Sequence, residues 1–210
     1  MSFDKVHDEI IDLLSEGSDQ QFIFLTGAAG TGKTTLLERV KNQLSLKKMV
    51  VAPTGIAALN IGGTTINSAF RIGFDTIPVI TKSKDPRFVK LLRNLELLII
   101  DEVSMVRAPM LDAISQSLQI HRNSEEPFGG VHVLACGDLF QLPPIIKESE
   151  ERIIYEKYDS VYFFDSHSFF CAIIFFNQSK SFIKINITHN YNCCIVWCIP
   201  IFIPIRYIFI

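Results

Sequence analysis

Short apolar runs alternate with segments of helical periodicity along the first part of the chain, up to about Ser168. Phe22–Thr26, Leu97–Ile100 and Val131–Cys136 are apolar enough to predict three buried strands. After the first of them, apolar residues recur on one face of a predicted helix, at Leu36, Leu37, Val40 and Leu44. Buried strands that alternate with amphipathic helices favour an α/β fold with a mostly parallel sheet between helices.

The composition of the chain changes after Ser168. The last glycine is Gly137, and the charged residues from Phe169 onward are only Lys180, Lys184 and Arg206. Isoleucine, phenylalanine, asparagine, tyrosine and cysteine dominate this segment, and no amphipathic period organises it. We therefore predict two parts, an α/β domain over residues 1–168 and an atypical, anomalous apolar C-terminal tail over residues 169–210.

Three interpretations of the tail are open. A transmembrane helix is disfavoured, because Ile195–Ile210 is shorter than the roughly 20 apolar residues of a span and contains Pro200, Pro204 and Arg206. A natural buried segment is the second interpretation. We favour the third, an aberrant reading frame or gene end, which would make the tail a frameshifted or truncated remnant of a second domain. Sequencing the gene through the codons for residues 165–210 tests this hypothesis.

Charge and cysteine content add weaker constraints. The formal net charge of −2 gives no global basic signal, so a nucleic-acid partner would be bound by a local groove. Cys193, Cys194 and Cys198 have only His189 as a nearby fourth ligand, which disfavours a zinc site. The start of the chain is too charged for a signal peptide, which indicates an intracellular protein with reduced thiols.

A complete phosphate-binding motif follows the first predicted strand. The residues from Gly27 to Thr34 match G-x-x-x-x-G-K-[ST] between a strand and a helix, where backbone N–H groups and the helix dipole face phosphate oxygens. Lys33 is predicted to place its charge on the β- and γ-phosphates, and the Thr34 hydroxyl to reach Mg²⁺. The motif alone indicates ATP or GTP. Nucleotide contacts are predicted along the loop, at Gly27, Ala28, Ala29, Gly30, Thr31, Gly32, Lys33, Thr34 and Thr35.

Two carboxylates end the second predicted strand, at Asp101 and Glu102. An α/β sheet delivers the carboxyl ends of its strands to the ligand edge. Asp101 is expected to hold Mg²⁺ through water, and Glu102 to orient or deprotonate the attacking water. Capping of the next helix by the pair is the alternative. The strand spacing fits a RecA-like P-loop NTPase core, in which we expect the phosphate-loop strand and the Asp101 strand to be neighbours.

The third predicted strand is followed by a polar turn that contains Asp138 and Gln141 and is stiffened by Pro143 and Pro144. A neutral amide at a γ-phosphate can donate a hydrogen bond and lose it after hydrolysis, which would couple chemistry to movement. We predict this sensing role for Gln141, whereas Asp138 either contributes to the site or only holds the turn. The three strand ends are expected to converge on the terminal phosphate of one nucleotide.

In this order, the motifs resemble those of the petite-integration-frequency DNA helicases and their RecD relatives, in helicase superfamily one. A generic P-loop protein shares the first and, loosely, the third of four matching segments, whereas the second and fourth are far more specific. The resemblance covers about residues 4–168 and implies the first of two RecA-like domains. The matching segments are Gly27–Thr34, Ala52–Ala58, Leu98–Met105, and Pro127–Gly130 with Gly137–Pro144.

The resemblance implies ATP-driven, Mg²⁺-dependent 5′-to-3′ unwinding of DNA in replication, repair, recombination or telomere maintenance. Single-stranded DNA or DNA junctions are the implied partners. A membrane is not favoured, and no obligate protein partner can be inferred. The implied location is the cytoplasm of a bacterium, or the nucleus or mitochondrion of a eukaryote. Pro53 and Thr54 would lie on the single-strand track, and Phe70 would either stack on a base or be a core aromatic.

Several positions depart from the family pattern. Relatives carry a glutamine that reads adenine in an N-terminal motif, and Phe3–Glu9 has none. Asn67 stands where relatives often have histidine, and Tyr191–Cys193 stands where they have Tyr-Arg-Gln.

Arginines from a second domain complete the ATP site of such motors. We therefore expect the 210-residue polypeptide to bind Mg-ATP, to hydrolyse it feebly and not to unwind duplex. The alternatives are a nucleotide-gated DNA-binding fragment and a membrane-tethered ATPase.

Overall fold

A computed structural model describes residues 3–15, 22–139, 141, 144–169, 172–176 and 182–186. Their strands form one sheet in the order β3-β2-β4-β5-β1-β6-β7, in which every pair is parallel except β6 with β7. In chain order the strands are β1 (Phe22–Gly27), β2 (Lys48–Ala52), β3 (Thr64–Thr65), β4 (Leu97–Ile100), β5 (His132–Gly137), β6 (Ala172–Phe176) and β7 (Phe182–Asn186). The predicted class, α/β with a mostly parallel sheet, is confirmed.

Helices cover both faces of the sheet. In chain order they are α1 (Phe3–Ser15), α2 (Lys33–Gln43), α3 (Gly55–Asn60), α4 (Ile66–Phe70), α5 (Pro86–Arg93), α6 (Ala108–Arg122) and α7 (Glu148–Tyr155). In the described part of the chain, three short 3-10 turns join these elements: Val103–Met105, Pro127–Gly130 and Phe163–Asp165.

Alternation along the strands divides the core between the two faces. Phe22 and Phe24 of β1 pack with α5 and α6, whereas Ile23 and Leu25 of the same strand pack with α1 and α2. All four residues of β4 are fully buried, as expected for a strand covered on both faces. The predicted stripe of α2 is confirmed, because its leucines and Val40 lie in the α1–α2 core.

The order of strands in the sheet contradicts the expected adjacency of β1 and β4 but supports the expected convergence of three strand ends. The phosphate-loop strand β1 and the Asp101 strand β4 are not neighbours, because β5 lies between them and pairs with both. The expectation of adjacent strands was therefore wrong. The three strands do form a contiguous block, β4-β5-β1, so their carboxyl ends meet at one edge of the sheet.

The sheet continues past the predicted domain boundary at residue 168. β6 pairs in parallel with β1, and β7 pairs with β6. The division into residues 1–168 and 169–210 stays a prediction, as does the aberrant reading frame. Pro143, Tyr191–Cys193, His189, the C-terminal cysteines and Ile195–Ile210 lie outside the described residues. Within the described ranges, no helix combines the length and apolarity needed to cross a bilayer.

Candidate functional site

The loop between β1 and α2 is an open cradle at the carboxyl edge of the sheet. Gly30 and Gly32 adopt left-handed backbone angles, with φ of 74° and 94°, which glycine reaches without the steric cost of a side chain. Gly32 is the N-cap of α2 and provides no side chain to bond the first helical amides. Ala28, Ala29 and Gly30 are exposed. The positive end of the α2 dipole therefore faces an accessible loop, which favours an anion.

Lys33 folds back over this loop. Its Nζ donates hydrogen bonds to the carbonyl oxygens of Gly27 at 2.7 Å and Ala28 at 2.9 Å. An ammonium group has three donors, so two bonds to the loop still leave one for an incoming phosphate. The loop thus places the lysine charge directly beside the helix N-terminus. Thr34 and Thr35 follow on α2 with exposed positions.

Asp101 and Glu102 lie at the carboxyl end of β4. Asp101 is only 6% exposed, its Oδ1 accepts the backbone N–H of Glu102 at 3.0 Å, and it shares a hydrogen bond with the Cys136 thiol. Burial raises the pKa of the Asp101 carboxyl, and the nearby Lys33 charge lowers that pKa. Burial also raises the pKa of Glu102, with further rises from Asp101 and Asp138 and a lowering by Lys33. These couplings place one cation and three acids in a single electrostatic cluster.

The backbone at Glu102 is strained and tightly packed. Glu102 has φ of 52°, a left-handed angle that costs a non-glycine residue about 1–2 kcal/mol. The 3-10 turn that follows presses against the end of β5, where a Cβ on Gly137 would lie 3.0 Å from the backbone nitrogen of Ser104. The Ser104 hydroxyl is buried there without a partner among the described residues. Close packing and the left-handed angle together fix the backbone position of Glu102 at the edge of the sheet.

The Gln141 turn is anchored beside the same edge. The backbone N–H of Gln141 donates to the Asp138 carbonyl oxygen at 3.1 Å, and the residue is exposed. Asp138 is 4% exposed, and its charge adds to the rise in the pKa of Glu102. A role for Asp138 in the site itself stays a prediction. The structure brings Lys33, Asp101, Glu102 and Asp138 together. The contact between Gln141 and a γ-phosphate stays a prediction.

The predicted DNA-binding residues divide into two groups. Pro53 and Thr54 are partly exposed after β2, and Thr54 Oγ1 accepts the Ala57 N–H at 3.2 Å as the N-cap of α3. This hydroxyl keeps its own proton for donation to a phosphate. Phe70 is only 3% exposed and belongs to the core cluster beneath α5 and α6. A ring buried to this degree has no face free for a base, so base stacking by Phe70 is corrected to a core role.

Two features of the site and one hydrogen-bonding role outside it were missed in the sequence analysis. Cys136 forms a hydrogen bond with Asp101 inside the core. Burial raises the pKa of the Cys136 thiol. Ser104 brings an unpartnered hydroxyl beside the acids. Asn67 donates to the carbonyl oxygens of Ile72 and Gly73, both at 3.1 Å, and so fixes the end of α4. Contacts between the ends of β4 and β5 depend on the register of the two strands, and register leaves no local signal in the sequence.

Asp101→Asn is expected to raise the free energy of unfolding at pH 7. A raised pKa means that the folded chain holds this proton more tightly than the unfolded chain, so stability falls as pH rises above the ordinary aspartate pKa. The neutral amide escapes that cost. The gain should vanish at pH 3, where aspartate is protonated in both states. Urea unfolding at both pH values measures it, with the exposed Asp12→Asn as a matched control. Equal stability of Asp101→Asn and the unaltered chain at pH 7 would contradict the expectation.

The donor set suits a magnesium nucleotide. The uncapped helix and Lys33 supply positive charge for phosphates, while Thr34 and Asp101 supply the hydroxyl and carboxylate oxygens that Mg²⁺ prefers. Among the described residues, no group of three His, Cys, Asp or Glu side chains could hold a metal ion by itself. Mg²⁺ in proteins is usually held by one or two carboxylates together with phosphate oxygens of its substrate.

Fold and site together define a RecA-like P-loop NTPase domain. The family model for PIF1-like helicases matches residues 2–180. The ATP-dependent DNA helicase PIF1 of Danio rerio is 41% identical over 133 residues, which cover 61% of this chain and 21% of that protein. The Homo sapiens PIF1 is 40% identical over 134 residues, covering 62% of this chain and 21% of that protein. This chain belongs to the PIF1-like helicase family.

Solved structures of Pif1 helicases also match this chain. A Bacteroides Pif1 helicase in complex with ADP-AlF3 and ssDNA matches with a TM-score of 0.78 and 40% identity, over 85% of this chain and 42% of that one. The Candida albicans Pif1 helicase matches with a TM-score of 0.62 and 29% identity, over 82% of this chain and 39% of that one. The chain thus spans about a fifth of the length of the curated relatives and about two fifths of the solved chains.

Proposed function

We propose that this chain is the ATP-binding motor domain of a 5′-to-3′ DNA helicase, in which Mg-ATP hydrolysis drives movement along single-stranded DNA. The convergence of Lys33, Asp101 and Glu102 at the carboxyl edge of β1 and β4 carries the proposal. Membership of the PIF1-like helicase family supports the second part of the proposal, movement along single-stranded DNA. Cellular roles in repair, recombination or telomere maintenance, and the compartment, are proposals on the same footing.

The residues of the site divide the work of hydrolysis. The loop amides and Lys33 bind and orient the β- and γ-phosphates, and Thr34 and Asp101 hold the cation. Bound Mg²⁺ would neutralise charge that develops on the phosphate oxygens. Glu102, held by its strained backbone, positions the attacking water and accepts its proton. Positive charge from Lys33 and the cation favours the ionised carboxylate that this step needs, against the effect of burial.

The DNA surface is proposed at the carboxyl edge of β2. Pro53 and Thr54 leave this strand there, next to α3, whose Ile56 and Leu59 are 77% and 80% exposed. One similar structure is a Bacteroides Pif1 bound to ssDNA, and another concerns DNA unwinding at forked dsDNA by two Pif1 helicases. Both support single-stranded DNA or junctions as partners. The Thr54 hydroxyl would donate to a backbone phosphate, and neighbouring amides would add sequence-independent contacts.

ATP turnover and strand displacement by the 210-residue polypeptide test the proposal. We expect saturable Mg-ATP binding, weak hydrolysis and no unwinding by this polypeptide alone, because arginines from a second domain supply about 10³–10⁵ in rate in related NTPases. Robust ATP-dependent unwinding by residues 1–210 would overturn the need for a second domain. A lack of Mg-ATP binding would overturn the motor assignment, and DNA binding without detectable hydrolysis would favour a nucleotide-gated binding fragment.

A further inference from the structure

A basic groove lies at the opposite edge of the sheet from the nucleotide site. It encloses about 420 Å³ between the start of β2, the segment before β4 and the outer face of α5. We name it the amino-edge groove, and its lining residues are Lys47, Lys48, Arg87, Lys90, Leu91, Asn94 and Leu95. We propose that it binds single-stranded nucleic acid, separately from the strand track at Pro53 and Thr54. The choice of ligand rests on the proposed function.

Three cations of the groove have no anionic partner among the described residues. Lys47, Arg87 and Lys90 are exposed, and their side chains take part in no ion pair there. Lys48 differs, because its Nζ donates to the carbonyl oxygens of Lys41 and Leu44 at the end of α2. Three positive charges around one concavity are therefore left to attract an anion, on a chain whose net charge is −2.

The nearby acids make other contacts and do not line the groove. Glu96 follows the lining residues, but its Oε2 accepts the Lys47 backbone N–H at 2.7 Å and it does not line the concavity. Asp85, at the start of α5, is paired with Arg71 at 2.8 Å. The lining itself contains cations, an amide and leucines, with no carboxylate among its described residues.

The apolar part of the lining selects the class of anion. Leu91 is 52% exposed beside the three cations, and Leu95 closes the floor at 3% exposed. Single-stranded nucleic acid presents both unstacked bases for such a surface and phosphates for the cations around it. The Asn94 amide adds a donor and an acceptor for a base edge. A duplex keeps its bases stacked inside and would use only the charges.

The groove and the proposed strand track are distinct surfaces. Lys48 begins β2 and Ala52 ends it, directly before Pro53. Four residue steps along the strand separate these ends by roughly 13 Å, at about 3.3 Å per residue. A strand in the groove would therefore contact this domain without occupying the nucleotide edge.

Salt-dependent binding of a fluorescent single-stranded oligonucleotide tests the proposal on the full chain. In the triple variant Lys47→Gln, Arg87→Gln, Lys90→Gln, we expect the slope of log K against log[salt] to flatten by about 2, because each lost phosphate contact contributes about 0.7. Mg-ATP affinity should not change. The matched control is Lys5→Gln, Arg152→Gln, Lys157→Gln, which removes the same charge from exposed positions outside the groove.

Several outcomes would contradict nucleic-acid binding by the groove. One is an unchanged salt slope in the groove variant, and another is an equal flattening of that slope in the control variant. A third is a loss confined to duplex DNA, or to vesicles of anionic lipid, with oligonucleotide binding intact. Thermal unfolding checks that each variant folds, and calorimetry with Mg-ATP on the same samples keeps the two hypotheses apart. Suppose that the chain binds no ATP and that the groove variant still flattens the salt slope of oligonucleotide binding. This result would contradict the proposed motor function and support nucleic-acid binding in the groove.

Discussion

Glu102→Gln is expected to lower ATP hydrolysis by about 10²–10⁴-fold, the usual contribution of a general base. Binding of Mg-ATP should stay close to that of the unaltered chain, because we propose that Glu102 acts on water and that the loop and Lys33 hold the phosphates. The amide keeps the size of the side chain and removes the proton acceptor. Single-turnover hydrolysis of radiolabelled ATP at high protein concentration measures the loss, and calorimetry measures the binding.

The left-handed backbone at Glu102 makes a control necessary, since a substitution there could also disturb packing. Glu148→Gln on α7 is an exposed, matched change that should leave turnover unaltered. Circular dichroism and thermal unfolding then verify the fold of both variants. Turnover by Glu102→Gln that matches the unaltered chain would remove Glu102 from the reaction.

Lys33→Ala is expected to weaken both binding and hydrolysis, with turnover reduced by about 10²–10³-fold, as for loss of a preorganised donor at developing charge. The reason is geometric, because Nζ is held by the Gly27 and Ala28 carbonyls directly beside the amides of the loop. Without it, the loop retains the helix dipole but loses its full positive charge. Filter binding of labelled ATP and phosphate release measure the two effects.

A second lysine on the same helix offers a matched control. Lys41 also donates to a backbone carbonyl, that of Ile61 at 3.0 Å, but lies two turns away from the loop. Lys41→Ala should therefore leave ATP binding and turnover unchanged. Equal effects from the two substitutions would show that Lys33 acts through helix stability and not through phosphate.

Local motifs made the nucleotide edge predictable. A glycine loop between strand and helix, and two acids at a strand end, carry their chemistry within a few residues of sequence. The fold class followed from the same alternation of apolar runs and helices. The order of strands did not, because spacing along the chain does not determine which strand inserts between two others. That is why β1 and β4 were expected to pair, although β5 separates them.

Features that depend on long-range packing were missed or ambiguous. Phe70 suited either a base or the core, and only its burial decided for the core. Cys136 meets Asp101 through the register of β4 against β5. The amino-edge groove joins the start of β2 to α5, segments about 40 positions apart whose lysines and arginine give no motif in sequence.

The affinity that Mg²⁺ adds to nucleotide binding is the most direct measurement of the central claim, that Lys33 and Asp101 serve one bound nucleotide. Calorimetry with a non-hydrolysable ATP analogue, with and without Mg²⁺, gives this increment for the unaltered chain and for Asp101→Asn. We predict that the unaltered chain binds more tightly with Mg²⁺, and that Asp101→Asn loses this gain while keeping its Mg²⁺-free affinity. The same gain in both chains would contradict a shared site.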